Sequence, residues 1–264
     1  MQKKLKTFGL IGFPVSHSFS GTYFNARFSV LGLKNYNYNL FPLKSLATLI
    51  DLIKKEKNLA GFNVTVPHKT TIINYLHHIE SDAKKIGAVN TVKIERKGKI
   101  VRLIGYNTDW LGFEKSLVRF LKNLIDLETK NMYRKKRINA LILGTGGSAK
   151  AVGYSLSRLG IPFNFVSRKP SSRKILNYSE LNKENIAKTQ LIINTTPVGM
   201  FPEINVTPEI PYHFISEKHY VFDLIYNPEE TIFLKNASLQ GAKIKNGFEM
   251  LIFQAEKAGE IWGV

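Results

Sequence analysis

Cysteine is absent from all 264 residues of the sequence, and its absence excludes two kinds of chemistry. Without thiols the chain cannot form disulfide bonds or thiolate metal sites. The composition is compatible with a reducing compartment, so we expect a cytoplasmic protein, and we expect no bound metal ion.

Long apolar runs are also missing. None approaches the roughly 20 residues that a helix needs to span a bilayer, so no membrane partner is expected. The first residues, MQKKLKTFGLIGFPVSH, place basic residues before a short apolar stretch, as a signal peptide does. Gly12 and Pro14 interrupt that stretch and no small-residue cleavage site follows, so we interpret it as the first strand of the fold.

Acidic residues are few, because 20 Asp and Glu stand against 38 Lys and Arg, which gives a formal net charge of +18. Such an excess of positive charge raises the hypothesis of a nucleic-acid partner. The basic residues are mostly dispersed, however, and no nucleic-acid-binding motif accompanies their one dense cluster, Tyr133 to Arg137. We therefore expect no nucleic-acid partner, although a basic surface would help attract small anions.

Strand and helix patterns alternate along the first part of the chain. KTFGLIGFP and AGFNVTVP are typical of strands, whereas LKSLATLIDLIKKEKN and KTTIINYLHHI are typical of helices. AVNTVKIERKGKIVRLIGYNTD predicts a hairpin that turns at Lys97–Gly98. A further helix is predicted over WLGFEKSLVRFLKNL.

A cleaner alternation begins at residue 138. INALILG is a continuous apolar strand, as in parallel sheets that are covered on both faces. A helix, TGGSAKAVGYSLSRLG, follows it, and then come three strand segments, PFNFVSR, QLIINTTP and YVFDLIYNP. This βαβ order implies right-handed crossovers and a doubly wound sheet. The last helix, EMLIFQAEKAGEIW, could pack on either half.

A glycine-rich loop joins the first strand and helix of that second part. LILGTGGSAKA places Gly144, Gly146 and Gly147 where a tight turn can present backbone N–H groups to a pyrophosphate at a helix N-terminus. The spacing is GxGGxxxA rather than GxGxxG, so its strand–loop–helix setting carries most of the weight. The alternative is a helix start that needs only the flexibility of glycine.

The end of the next strand bears on the choice of dinucleotide. NAD-binding folds commonly end this strand on an acidic residue that holds the adenosine ribose. Here Ser167, Arg168 and Lys169 stand at the end, without a carboxylate. A guanidinium can bind a 2′-phosphate that a carboxylate would repel, so the chemistry favours NADP over NAD. The alternative is ordinary solvated surface charge.

Uncharged hydrogen-bonding residues collect at strand ends in the first part. Ser18 and Ser20 follow the first strand, and Asn90 and the segment Asn107–Asp109 flank the predicted hairpin. Together with one acid and one lysine, such residues suit a polyhydroxylated, carboxylated small molecule. Each alone is more often a turn residue, so their joint occurrence beside a dinucleotide loop is the stronger signal.

The chain carries eight segments in a characteristic order: GFPVSHSFS, GFNVTVPHK, IGAVNTV, GYNTDWLGF, LGTGGSAKA, NTTPVGM, DLIYNP and NGFEMLIFQA. On these segments it resembles the shikimate dehydrogenase family over nearly all of its length. The resemblance implies an α/β fold with an N-terminal α/β substrate domain and a Rossmann-like, doubly wound NADP-binding domain, with a cleft between them. We expect residues 1–107 and 241–264 to form the substrate-binding domain and residues 108–240 the NADP-binding domain.

The resemblance also implies a role for each matching position. On the substrate side these are the carboxylate-binding Ser18, Ser20 and Tyr226, the hydroxyl-binding Thr65, Asn90 and Gln254, and the catalytic pair Lys69 and Asp109, which also binds substrate. On the cofactor side they are the phosphate-binding Gly144, Thr145, Gly146, Gly147, Ser148 and Ala149, the 2′-phosphate-binding Ser167, Arg168 and Lys169, and Leu224 and Gly247 near the nicotinamide.

Four features, three single positions and one short segment, depart from the family's pattern. Gly21 replaces a usual proline, Phe24 a histidine and Glu249 a small residue, while SRK replaces Asn-Arg-Thr. The first two are expected to loosen the helix start beside the carboxylate-binding serines. None of the four removes a catalytic group.

The segment NVTVPHK accounts for the catalytic lysine. Pro67 ends a strand by withholding a ladder hydrogen bond, and His68 and Lys69 are then expected to project into the cleft. A ketone that gains hydride needs a proton at its oxygen, and a lysine ammonium can both stabilise and protonate that oxygen.

The expected function is reversible NADPH-dependent reduction of 3-dehydroshikimate to shikimate, a step towards chorismate and the aromatic amino acids. One alternative is a quinate/shikimate dehydrogenase that uses NAD or NADP. Another, from a different class, is a non-catalytic sensor of shikimate or NADPH. We expect a small-molecule substrate and a monomer or homodimer.

Overall fold

The structure, a computed structural model, describes residues 5–122, 138–172 and 175–264. The basic cluster Tyr133–Arg137 lies outside these ranges. Within them, no helix combines the length and the apolar character that crossing a membrane requires.

Two compact units divide the chain. The first comprises Met1–Thr108 and Gln254–Val264, and the second comprises Asp109–Phe253. Each unit is built around a β-sheet with packed helices, which confirms the predicted α/β class.

The first unit has a mixed sheet. In its described residues the strand order is β2-β1-β3-β5-β6-β4, with parallel pairing around β1 and antiparallel pairing of β5 with both its neighbours. Its elements before residue 109 are β1 (Lys6–Gly12), α1 (Ser20–Val30), β2 (Tyr36–Pro42), α2 (Leu49–Lys55), β3 (Leu59–Val64), β4 (His78–Ile79), α3 (Ser81–Ile86), β5 (Thr91–Lys97) and β6 (Ile100–Tyr106).

Both faces of that sheet are covered, as the alternation along β1 requires. Phe8 and Leu10 pack in a cluster with residues of α1 and with Trp262 near the chain's end. Ile11 points to the other face and packs with Leu49 of α2. Because successive strand residues face opposite sides, an almost wholly buried strand such as β1 needs a core on each side.

The predicted helix over residues 69–79 is wrong. This stretch forms a short 3₁₀ turn, Thr71–Tyr75, followed by β4, which pairs with β6. The backbone N–H of His77 donates to the Leu103 carbonyl at 2.9 Å. The turn is rich in β-branched residues with low helix propensity, so strand pairing determines the local structure.

The second unit has an all-parallel sheet. Its described strands follow the order β12-β11-β10-β7-β8-β9, which is the doubly wound order of Rossmann folds and confirms the prediction. Its elements are α4 (Asp109–Phe120), β7 (Ala140–Leu143), α5 (Gly147–Arg158), β8 (Phe163–Ser167), β9 (Ile175–Asn177), α6 (Lys183–Ala187), β10 (Leu191–Asn194), β11 (Tyr220–Asp223), α7 (Ile232–Leu239), β12 (Lys243–Lys245) and the start of α8 (Phe248–Trp262).

The second boundary of the units differs from the expected break at residue 241. Residues 241–253 belong to the second unit, because β12 extends the parallel sheet by pairing with β11. Helix α8 begins in the second unit and ends in the first, where the Trp262 indole donates to the Val92 carbonyl at 3.1 Å. A three-residue strand has too short a pattern to be recognised from sequence.

Candidate functional site

A polar cluster lies in the first unit around Asn90, in which Asn90 and Thr108 are buried and Gln254 is half-buried. The Asn90 amide nitrogen donates to the Thr108 hydroxyl at 2.9 Å and to Gln254 Oε1 at 3.3 Å. Its oxygen accepts from the Thr108 backbone N–H at 2.7 Å. The structure thus joins two of the predicted hydroxyl-binding residues, Asn90 and Gln254, although 164 positions separate them in the chain.

The two predicted carboxylate-binding serines lie at the start of α1. Ser20 is the first residue of the helix, and its backbone N–H donates to the Ser18 hydroxyl at 3.3 Å. Ser18 is half-buried and Ser20 is buried. A carboxylate placed here would face the positive end of the helix dipole, which favours anions.

The start of α1 beside these serines contains two of the departures from the family's pattern, Gly21 and Phe24. Helix α1 begins at Ser20 although glycine stands at position 21, where a Cβ would meet only ordinary contacts at 3.7 Å. Phe24 is fully buried, and its ring stacks on that of Tyr38 at 4.7 Å with an interplanar angle of 8°. Its position is therefore part of the core.

Thr65 and Lys69 follow β3 in the first unit and are half-buried. The Lys69 carbonyl accepts from the Val89 backbone N–H at 2.7 Å, which fixes the backbone at the lysine. The expectation that His68 projects with Lys69 is wrong, because His68 is only 5% exposed. Its Nε2 lies 2.7 Å from the Leu43 carbonyl, so the imidazole ties two loops together.

Asp109 is the first residue of α4 and belongs to the second unit. It is 5% exposed, and a carboxylate in the first turn is favoured by the helix dipole. Its predicted partner Lys69 belongs to the first unit.

The glycine loop connects β7 to α5 at the carboxyl edge of the parallel sheet. Gly144 has φ +109°, a conformation that favours glycine, and a Cβ there would lie 2.8 Å from the Thr195 hydroxyl. Gly146 is exposed, and a Cβ on it would meet no protein atom within 4 Å. Helix α5 then begins at Gly147 without a side-chain cap. The loop therefore offers open space and a helix N-terminus, which fit a pyrophosphate.

The remaining loop residues continue that arrangement. Thr145 is exposed, Ser148 is half-buried and Ala149 is fully buried within the core beneath α5. Small side chains at these positions keep the helix start close to the sheet.

Ser167, Arg168 and Lys169 stand at the end of β8, as predicted. The Ser167 hydroxyl accepts from the Lys169 backbone N–H at 3.2 Å, which shapes the turn. Arg168 is exposed and near Tyr178: burial raises the pKa of Tyr178, and the positive charge of Arg168 acts against this rise. An exposed guanidinium beside the second strand of a Rossmann sheet is placed to meet a 2′-phosphate.

Leu224, Tyr226 and Gly247 belong to two adjoining segments of the second unit. Gly247 donates its N–H to the Ile225 carbonyl at 3.0 Å, and a Cβ at position 247 would come within 2.0 Å of the Leu224 carbonyl oxygen. Only glycine allows this approach. Leu224 and Tyr226 are both half-buried.

Glu249, another of the four departures, is held by three side chains of the second unit. It accepts from Ser116 Oγ at 2.9 Å and from Arg119 at 2.8 Å, and it pairs with Lys245. Burial raises the pKa of the Glu249 carboxyl, but the hydrogen bonds from Lys245 and Arg119 outweigh it, so the pKa is lowered from its ordinary value. Glu249 thus links the first turn of α8 to α4 and β12 by hydrogen bonds and an ion pair.

Two polar groups of the structure escaped the sequence prediction. In the first unit, Tyr38 and Asn63 are buried and hydrogen-bonded to each other at 2.8 Å. In the second, Asp223 is fully buried and accepts from Asn194 at 3.0 Å and from Thr231 at 2.6 Å. The alternation in YNYN could have indicated a strand with inward tyrosines, whereas nothing local distinguishes Asp223 from a strand-end residue.

The described residues contain no group of three or more His, Asp or Glu side chains that could hold a metal ion.

The strand order and the glycine loop place the second unit in the class of Rossmann-type dinucleotide-binding domains. The model of the shikimate dehydrogenase substrate binding domain matches residues 10–92 in the first unit. A shikimate dehydrogenase (NADP(+)) of Methanococcus maripaludis is 42% identical over 277 residues, covering 99% of this chain and 93% of that protein. The chain therefore belongs to the shikimate dehydrogenase family.

Solved structures agree with this assignment. A shikimate dehydrogenase from Aquifex aeolicus is 37% identical, with a TM-score of 0.81 and coverage of 98% of this chain and 92% of that one. A shikimate 5-dehydrogenase from Thermus thermophilus, in complex with NADP(H) and shikimate, is 30% identical, with a TM-score of 0.77 and coverage of 98% and 93%.

Proposed function

We propose that this chain is an NADP-dependent oxidoreductase that interconverts 3-dehydroshikimate and shikimate. The observation that carries the proposal is the hydrogen-bonded cluster of buried Asn90 and Thr108 with half-buried Gln254, in a chain of this family. Amide and hydroxyl groups fixed in this way suit the ring hydroxyls of the substrate, and the serines at the start of α1 suit its carboxylate.

The cofactor is NADP, held by the second unit. Backbone N–H groups of the glycine loop and of the start of α5 would hold the pyrophosphate, and Ser167, Arg168 and Lys169 would hold the 2′-phosphate. Leu224 and Gly247 would lie near the nicotinamide. When bound as NADPH, the cofactor supplies the hydride for the carbonyl carbon.

Lys69 supplies the proton at the carbonyl oxygen. As hydride reaches carbon, negative charge develops on that oxygen, and the Lys69 ammonium stabilises it and then protonates it. Asp109 orients the ammonium. Thr65 and Tyr226 complete the contacts with the hydroxyl and carboxylate groups.

Localisation and assembly complete the proposal. We place the protein in the cytoplasm, since it has no cysteine and its substrates are soluble metabolites. We expect it to act as a monomer or homodimer, which size-exclusion chromatography with light scattering would determine.

The test is NADPH formation, followed by absorbance, when purified protein receives shikimate with NADP or with NAD. Turnover that is much faster with NADP supports the proposal. Equal kcat/KM for quinate and shikimate would identify a quinate/shikimate dehydrogenase. Shikimate binding without turnover, from folded protein, would identify a sensor.

Replacing Arg168 with glutamine is expected to weaken NADP use selectively. The guanidinium would lose its charge-assisted contact with the 2′-phosphate, so kcat/KM for NADP should fall about 10-fold, which corresponds to about 1.4 kcal/mol. The kcat/KM for NAD, which lacks that phosphate, should stay within about two-fold. The exposed Lys150 of α5 provides the control as Lys150→Gln. A parallel loss with both cofactors would remove Arg168 from the 2′-phosphate site.

A further inference from the structure

A series of hydrogen bonds crosses the sheet of the first unit, from Tyr38 through Asn63 to Asn90. It starts at Tyr38 on β2, which is only 3% exposed and whose hydroxyl donates to Asn63 Oδ1 at 2.8 Å. Asn63 lies on β3, so this bond spans β1, which lies between the two strands. A phenol placed so deeply is costly unless its polar tip is paired.

The Tyr38 ring has a fixed position. Phe24 stacks on one side of it, and the Trp262 ring lies 6.4 Å away. Ser20, one of the proposed carboxylate-binding serines, lies near the phenol: burial raises the pKa of Tyr38 well above its ordinary value, and the Ser20 side chain acts against this rise. The raised pKa keeps the hydroxyl protonated as a donor.

Asn63 hydrogen-bonds to two residues at the start of β5. Its amide nitrogen donates to the Thr91 hydroxyl at 3.1 Å and to the Asn90 carbonyl at 3.3 Å. The Thr91 hydroxyl in turn donates to Asn90 Oδ1 at 3.3 Å. These bonds hold the start of β5 against β3. The Asn90 amide itself is oriented by the Thr108 backbone N–H, which donates to its oxygen at 2.7 Å, while its nitrogen points towards Gln254.

We propose that Tyr38 and Asn63 are positioning residues that hold Asn90, at the start of β5, in its place in the substrate site. They act through the two bonds that Asn63 donates, to the Asn90 carbonyl and to the Thr91 hydroxyl. The inference rests on the proposed function, because it takes Asn90 as a ligand of a ring hydroxyl.

The test is Tyr38→Phe, which keeps the stacked ring and removes only the hydroxyl. Without that donor the buried Asn63 Oδ1 loses its hydrogen bond from Tyr38, so Asn63 holds the Asn90 carbonyl and the Thr91 hydroxyl less firmly and the position of Asn90 becomes less well defined. The KM for shikimate should rise about 5- to 10-fold, while the KM for NADP and kcat stay within about two-fold. Tyr36→Phe, on the same strand and half-buried, is the matched control and should leave all three unchanged.

A second substitution distinguishes an effect transmitted through these hydrogen bonds from a general loosening of the first unit. Thr91→Val keeps the shape of a fully buried side chain and removes the hydroxyl that contacts Asn90. If both residues act through Asn90, the double variant should raise the KM for shikimate by clearly less than the product of the single effects. Multiplicative effects, a shikimate KM unchanged in Tyr38→Phe, or an equal rise in the NADP KM would each overturn the inference.

The outcome for the inference remains separate from that for the proposed function. If the wild-type protein does not oxidise shikimate, the proposed function fails, and calorimetric binding of shikimate to wild type and Tyr38→Phe then decides the inference. A 5- to 10-fold weaker Kd in the variant supports it. An equal Kd, or no binding by the wild type, overturns it.

Discussion

Lys69→Met is expected to lower kcat for shikimate oxidation by about 10³- to 10⁴-fold. Methionine has a similar length and keeps the apolar stem, so the change removes the charge and the exchangeable proton with little change in packing. Both are needed mainly when charge develops on the substrate oxygen, so the KM for shikimate should change by only a few-fold. Steady-state kinetics in the direction of NADPH formation would measure both constants.

The control for this loss is Lys84→Met, an exposed lysine on α3 of the same unit. It changes the net charge equally and should retain full activity. Equal losses in binding and turnover for Lys69→Met would instead make Lys69 a binding residue. A kcat within about 10-fold of wild type would remove it from the chemistry.

The parts of the fold that the sequence predicted correctly are those with long or distinctive patterns. Strand β7 is a run of apolar residues ahead of a glycine loop, and α5 follows with helical spacing, so both were recognisable. The three-residue strands β9 and β12 gave no such signal, because pairing with a neighbour defines them more than their own residues do. The helix predicted over residues 69–79 was wrong for the same reason: the pairing of β4 with β6 determines the local structure.

The candidate site shows a similar division. Residues within recognisable segments, such as Ser18 and Gly144, could be assigned a role from the segment. The bond between Tyr38 and Asn63 could not be predicted, although Asn63 lies in the segment GFNVTVPHK, because the two residues are 25 positions apart in the chain and belong to different strands. His68 shows the converse: its segment placed it beside Lys69, yet packing turned its ring towards Leu43.

The carboxyl of Asp223 is buried in the second unit at the end of β11. Burial raises its pKa from 3.8 to about 7, against the opposing hydrogen bonds from Thr231, Ile225 and Asn194. The neighbouring phenol of Tyr212 has its pKa raised to about 12, chiefly by burial, so it stays neutral at physiological pH. Of these two groups, Asp223 is therefore the one that changes charge between pH 5 and pH 8.

Stability should follow that change of charge. Because the pKa is higher in the folded state than in the unfolded state, the carboxyl contributes stability that is fully present below about pH 4 and is lost as the pH rises through about 7. Asp223→Asn cannot ionise, and its amide can still accept from Asn194 and Ile225 while the Thr231 hydroxyl turns to accept. The free energy of unfolding of wild type, relative to this variant, should therefore fall by roughly 2 to 3 kcal/mol between pH 5 and pH 8.

Urea unfolding of the two proteins at several pH values measures this difference, since the other titrating groups are shared and cancel. Asp82→Asn, a change at the partly exposed first turn of α3, controls for the loss of a carboxylate at the surface. Parallel curves for wild type and Asp223→Asn would mean that the three hydrogen bonds keep the carboxylate ionised throughout. In that case the bonds outweigh burial, and the loops after β10 and β11 are joined by a buried charge at every pH in the range.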